Sequence, residues 1–189
     1  MNRKPHVLYI VIAIIALSAI YLIVHNRPKK SSRLNKVEKN VQNVNPQQLD
    51  KNKAHLYFVD KDNSFLIAEE RTISQSPDPA EFGKTIIEAL IKGPLEGLMQ
   101  TIPVGTTLSA LYVTQDGTAY IDLTEEIKEH HPGGIKTELI TIYSIVNSLT
   151  LNISGINAVK ILIGGHESMT LAGHIDLRFP LKANMLLIR

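Results

Sequence analysis

Hydrophobic and polar positions divide the chain into three regimes. From Val7 to Val24 the sequence VLYIVIAIIALSAIYLIV is apolar on every face and uncharged. A run of about 18 such residues approaches the length that spans a hydrocarbon core. Tyr9 and Tyr21 stand near its ends, where amphipathic rings favour the interface. No small-x-small cleavage pattern follows the run, so it reads as a retained transmembrane anchor over 1–25. From Asn26 to Ala54 the periodicity stops, and Lys, Asn and Gln dominate. This segment, 26–54, reads as a flexible basic tether with a reach of roughly 30 Å. From His55 to Arg189 periods of two and of 3.6 alternate, which marks a folded domain.

Within that domain an internal pseudo-repeat is visible. LYFVDKDNSFLIAEERTI starts at Leu56 and LYVTQDGTAYIDLTEEI at Leu111. Each reads as strand, Asp-containing turn, strand and acidic end. Asp62-Asn63 and Asp116-Gly117 supply the turns. A third pair is expected from Val159–Ile163 and His174–Phe179. Two helices fill the gaps. The first has Asp78 as N-cap, Pro79 at the first helical position and Glu81 in the first turn, and it stops at Gly93-Pro94. Phe82, Ile86 and Leu90 form its apolar stripe. The second follows Pro132-Gly133-Gly134, with Ile135, Leu139, Ile142, Val146 and Leu149 facing the sheet. The expected fold is α+β, a mixed sheet with two helices in the order ββα-ββα-ββ, preceded by one transmembrane helix.

Charge adds an asymmetry that the net value of +2 conceals. Arg27 to Lys53 holds eight Lys/Arg against Glu38 and Asp50, a net of +6. His55 to Arg189 holds ten Lys/Arg against sixteen Asp/Glu, a net of −6. An acidic domain argues against nucleic acid as its partner. The absence of Cys removes disulfides, thiol nucleophiles, zinc-thiolate sites and a Cys-linked lipid anchor. Lys/Arg counting around the apolar run, Arg3 and Lys4 against Arg27, Lys29, Lys30 and Arg33, would by itself keep the domain in the cytoplasm.

Several stretches together resemble the GerMN domain of GerM-type sporulation and spore-germination proteins. They are LIKGP (Leu90–Pro94), IPVGTTL (Ile102–Leu108), DGTAYIDLTEEI (Asp116–Ile127), SIVNSLTLN (Ser144–Asn152), VKILIGG (Val159–Gly165) and LAGHIDLRFPL (Leu171–Leu181). One departure is His174-Ile175 before Asp176, where the family often has small residues. The resemblance implies a non-catalytic envelope domain attached to the cytoplasmic membrane, with the domain extracytoplasmic, opposite to the Lys/Arg count. It would dock to an envelope protein complex or to peptidoglycan.

Candidate chemistry comes down to a few stretches. GPLEGLMQTIPVGTT, Gly93 to Thr107, lacks the Gly-Lys-Ser/Thr ending of a phosphate loop. His130 and His131 are neighbours that would point apart. In GGHESMTLAGHID (Gly164–Asp176), His166, Glu167, His174 and Asp176 could converge on a metal, or Ser168, His174 and Asp176 on a hydrolytic triad, but no nucleophile-elbow pattern surrounds Ser168. Glu138 sits in the first turn of the second helix, where the helix dipole alone accounts for a carboxylate. Asn147 and Asn152 are expected to bond backbone groups at the helix end. The expectation is therefore no catalytic, cofactor-binding or metal residue. The alternative is a metal-dependent or hydrolytic enzyme of wall polymer using His166, His174 and Asp176.

Overall fold

The computed structural model describes Tyr21 and residues 51–189. The expected anchor at Val7–Val24 and most of the tether lie outside the described residues. Among the described residues no helix is long and apolar enough to cross a membrane.

Strands β1 (Lys51–Val59) and β2 (Leu66–Ser74) form an antiparallel hairpin. Its turn is fastened by Asp60, whose Oδ1 accepts from the backbone N–H of Ser64 (2.6 Å) and Phe65 (3.2 Å). β1 begins at Lys51, inside the segment read as tether. Ala54 is buried opposite Arg71 there, which makes the strand longer than its sequence pattern suggests. Helix α1 (Pro79–Ile91) starts as expected: the Asp78 side chain accepts from Ala80 N–H at 2.9 Å, with Pro79 in the first turn. Phe82, Ile86 and Leu90 are buried, joined by Gly83 and Ile87.

The C-terminal end of α1 is tied to the hairpin by one partly buried side chain. The Arg71 guanidinium donates to Ala89 O (3.3 Å), Gly93 O (2.6 Å) and Glu69 Oε1 (2.6 Å), and lies 5.4 Å from the Phe58 ring centre. Glu69 Oε2 accepts from Leu95 N–H. The carbonyls that a helix end leaves unpaired thus meet a planar five-donor group.

Strands β3 (Leu108–Val113) and β4 (Thr118–Leu123) form the second hairpin, with a bulge between Leu108 and Ala110. A short helix α2 (Glu126–Glu129) and the long helix α3 (Ile135–Thr150) follow. Strand β5 (Ala158–Ile163) then joins β4 in parallel, and α3 is the crossover that such pairing requires. β6 is only His166–Glu167. The two hairpins do not share a sheet: β1-β2 stands apart from the four-stranded order β3-β4-β5-β6. The fold class is mixed α+β, as expected, but with two sheets and a third short helix.

The main core joins Leu56 and Phe58, the inner faces of α1 and α3, and Leu111, Ile121, Leu123, Val159, Ile161 and Ile163 of the larger sheet. Because α3 meets both sheets, it is buried almost all round from Ile140 to Leu149. Its first turn differs from the expected stripe. Ile135 is 64% exposed, and the inward position is taken by Glu138. One polar row of α3 replaces a strand along the edge of β1. Ser144 Oγ donates to Tyr57 O (2.6 Å), Tyr57 N–H donates to Ser148 Oγ (3.1 Å), and Asn152 receives His55 N–H (2.8 Å) while donating to His55 O (2.7 Å). Spacing of four places Ser144 and Ser148 on one face of α3, and Asn152, in the turn just past its end, continues the row.

The expected third strand pair does not form. Gly164 (φ 59°) and Gly165 (φ 79°) reverse the chain in two residues, so β5 pairs with His166–Glu167. Successive positive φ values are the geometry of a tight hairpin turn and favour glycine. His174–Phe179 is not a strand; it belongs to an irregular strap, residues 168–184, that returns to the sheet only at the Val159–Leu181 bridge.

Candidate functional site: the strap around Glu138

Glu138 explains why the strap is not a strand. Its carboxylate is 0% exposed and faces the strap backbone. Oε1 accepts from the N–H groups of Leu171 (3.0 Å), Ala172 (2.8 Å) and Ile175 (3.2 Å). Oε2 accepts from His174 N–H (2.9 Å) and contacts His174 Nδ1 (2.9 Å). A ladder strand would turn alternate N–H groups to opposite sides. Four converging on one carboxylate require a curl, and Gly173 supplies it with φ 101°. Burial pushes the Glu138 carboxyl up, yet these donors outweigh it and hold the group below its ordinary value.

A second buried charge holds the other half of the strap. Lys160 on β5 is 2% exposed, and its Nζ donates to Leu177 O (3.0 Å) and Arg178 O (2.7 Å), with Glu167 Oε2 at 3.5 Å. An anion thus gathers N–H groups and a cation gathers carbonyls of one loop. Leu171 and Leu177 anchor it in the core. Neither charge was singled out for this role by sequence reasoning. The one available signal was a Lys inside the apolar run VKILI, which calls for buried acceptors.

The residues suspected of chemistry are mostly occupied elsewhere. Asp176 chelates Arg178 through its Nε (3.0 Å) and Nη2 (2.9 Å), which together with the Arg178 N–H lowers its carboxyl to about 2. Ser168 Oγ donates to Thr170 O at 2.6 Å. Hence Ser168, His174 and Asp176 do not form a relay. His166 is exposed on β6, and His174 meets Glu138 instead. Among the described residues no three His, Asp or Glu side chains are grouped to hold a metal ion. Two grooves, of about 220 and 200 Å³, are lined by the Gln75–Phe82 and Gln100–Val104 regions with parts of α3 and its flanks, and neither is lined by these residues. Asn147 exchanges bonds with Asn184 O (3.1 Å) and N–H (2.9 Å), and Asn152 serves β1, both backbone roles as expected.

His130 and His131 point apart, as neighbours should. His130 Nδ1 reaches Val104 O at 2.9 Å. His131 Nδ1 accepts from Gly133 N–H (3.0 Å), while its Nε2 faces Thr141 Oγ1 (3.3 Å), whose own proton goes to Thr101 O (2.7 Å). That arrangement fits the neutral Nε2–H tautomer. Burial lowers the His131 pKa, against the opposing pull of the Glu138 charge. An unfolded chain therefore takes this proton before the folded one does. Stability from His131 is present above about pH 6.5 and is lost as pH falls below it. Urea titrations from pH 7 to pH 5 should show a smaller loss of stability in His131→Gln than in the parent. An equal slope in both would rule out His131 as its source.

The layered fold and the doubly pinned strap define a small α+β domain whose charged groups serve architecture. The chain belongs to the Germane family of sporulation and spore germination, whose model matches residues 55–168. The first GerMN domain of the sporulation protein GerM from Bacillus subtilis is similar over 69% of this chain and 97% of its own, with 25% identity and a TM-score of 0.58. The tandem GerMN domains of the same protein share the fold over 69% of this chain and 46% of theirs, at 24% identity and a TM-score of 0.55. A crystal structure described as a candidate lipoprotein from Clostridium perfringens is similar over 70% of this chain and 87% of its own, at 26% identity and a TM-score of 0.51. No curated protein matches. The family is not a known enzyme family.

Proposed function

We infer that this chain is a non-catalytic, membrane-anchored binding or scaffold domain of the cell envelope. It docks to an envelope protein complex or to peptidoglycan and acts in sporulation or germination. The observation that carries this reading is the saturation of the strap: Glu138, Lys160 and Asp176 spend their charges on backbone groups and on Arg178. Family membership supports the setting, and the lipoprotein described among similar structures supports the envelope. The apolar run Val7–Val24 is the proposed anchor, with the domain outside the cytoplasmic membrane. An alkaline phosphatase fusion after Arg189 should be active, and crosslinking in native membranes should capture an envelope protein or wall fragment. An inactive fusion beside an active cytoplasmic reporter would reverse the topology.

A second reading, an enzyme of wall polymer, draws on His174. A carboxylate on Nδ1 orients an imidazole and leaves Nε2 for proton transfer or a metal. Zinc retained by the purified chain, or wall hydrolysis abolished in His174→Ala, would replace the scaffold reading.

A further inference from the structure

Among the described residues, three of the four long strand edges that could accept another strand are closed along all or part of their length. The outer edge of β1 is taken by Ser144 and Ser148 of α3 and by Asn152 just past its end, and the end of β1 by Met99 N–H on Val59 O (2.8 Å). The far side of β5 is taken by β6 and by Leu181, which exchanges both backbone bonds with Val159 at 2.8 Å. β2 meets Ile188 and Arg189 at Leu66, and carries Glu69, Glu70 and Arg71 in its middle. Charged residues are one way in which natural proteins blunt an edge.

β3 is different. It ends the four-stranded sheet, and no described strand pairs with its outer side. No residue between Glu96 and Asp116 is charged. Among the described residues it is interrupted by the bulge between Leu108 and Ala110, at its beginning. Alternation fixes what the rest presents. The hairpin is closed by Thr114 N–H on Thr118 O (3.0 Å), and Tyr112 pairs with Tyr120 and Ala110 with Asp122 two and four residues on. Leu111 and Val113 therefore turn their N–H and C=O groups to the open side. Between them stands Tyr112, 67% exposed.

We propose that β3 is a self-association edge, and that its occupant is β3 of a second copy of this chain, running antiparallel across a two-fold axis. One register satisfies every feature. Leu111 of each copy exchanges backbone bonds with Val113 of the other, which sets Tyr112 directly opposite its counterpart. That position is a non-hydrogen-bonded pair, where side chains approach most closely. Tyr120, Tyr112 and their counterparts then form one aromatic row across a continuous sheet. A strand without charge meets its own copy without like-charge repulsion, and the contact is isologous, so it closes at two. This surface stands independently of the proposed envelope docking.

The chain has no Cys, so a single substitution reports cleanly. A non-hydrogen-bonded antiparallel pair has Cα atoms about 4.5 Å apart, within disulfide range. The full-length Tyr112→Cys chain, oxidised in membranes of the expressing cell, should run at twice its mass on a non-reducing gel. Thr72→Cys, on the other hairpin, should stay at single mass. Sedimentation of the full chain in detergent should show a dimer whose population falls at least ten-fold in Tyr112→Lys, with unchanged circular dichroism. Three results would each overturn the proposal: the Tyr112→Cys chain remaining at single mass, the same chain joined to a different protein, or a dimer indifferent to Tyr112→Lys.

Discussion

Glu138→Ala is expected to lose about 3–5 kcal/mol of folding stability at neutral pH, in the range for removing one partner of a buried charge network. The loss comes from the groups left behind. Four strap N–H groups and the His174 ring would face a cavity that offers no acceptor. Glu138→Gln should lose less, because its amide keeps one accepting oxygen while turning a donor toward the remaining N–H groups. The same carboxylate sets an acid limit. Its folded pKa lies below 4.5, so its stabilisation is complete above the unfolded value and disappears as pH falls through the folded one. Urea unfolding followed by circular dichroism from pH 7 to pH 3 tests both statements. Glu138→Gln should flatten the acid limb, and amide exchange should rise first at Leu171–Ile175. A loss under 1 kcal/mol in Glu138→Ala would show that the strap does not depend on this anchor.

Lys160→Met is expected to lose about 1–3 kcal/mol, the cost of leaving buried acceptors unpaired. Methionine fills the space of the stem but offers nothing to Leu177 O and Arg178 O. Relief from burying an ammonium offsets part of the loss. The sharper expectation concerns the pair. Glu138 and Lys160 hold the same strap from opposite ends of the charge scale, so a strap freed by one change gains little from the other anchor. The double variant should cost less than the two single losses added together, by about 1 kcal/mol or more. Strict additivity in a double-mutant cycle would mean that the two halves of the strap move independently.

What could be read in advance was what neighbouring residues decide. Asp78-Pro79 opens α1 and Gly93 closes it because capping acts over three or four positions. Asp116-Gly117 announces its hairpin for the same reason. The strap reads as a strand because its true partners are remote. LAGHID alternates well enough for one, and only a carboxylate 33 to 37 residues earlier makes the curl favourable. Glu138 in turn is sufficiently explained, on sequence alone, by its place in a first helical turn. The separation into two sheets is hidden as well. Nothing within LYFVDKDNSFLIAEERTI states that its edge will be met by two serines of α3 and the asparagine just past it rather than by a strand. Among suspected site residues, the sequence marks His174 but gives it the wrong company, Asp176 in place of Glu138.

The polar row of α3 along β1 also sets an order of events during synthesis. Its bonds join residues 87 to 97 positions apart. At about 5–20 residues per second, β1 emerges roughly 5–20 s before the side chains that cover its edge. The β1-β2 hairpin can close early, but a lone two-stranded hairpin is marginal in water. Through that interval the backbone of His55 and Tyr57 is an open template for any passing strand. Nascent chains should therefore be most vulnerable to misassembly before Asn152 has left the ribosome, and slow translation across α3 should lower the yield of folded protein.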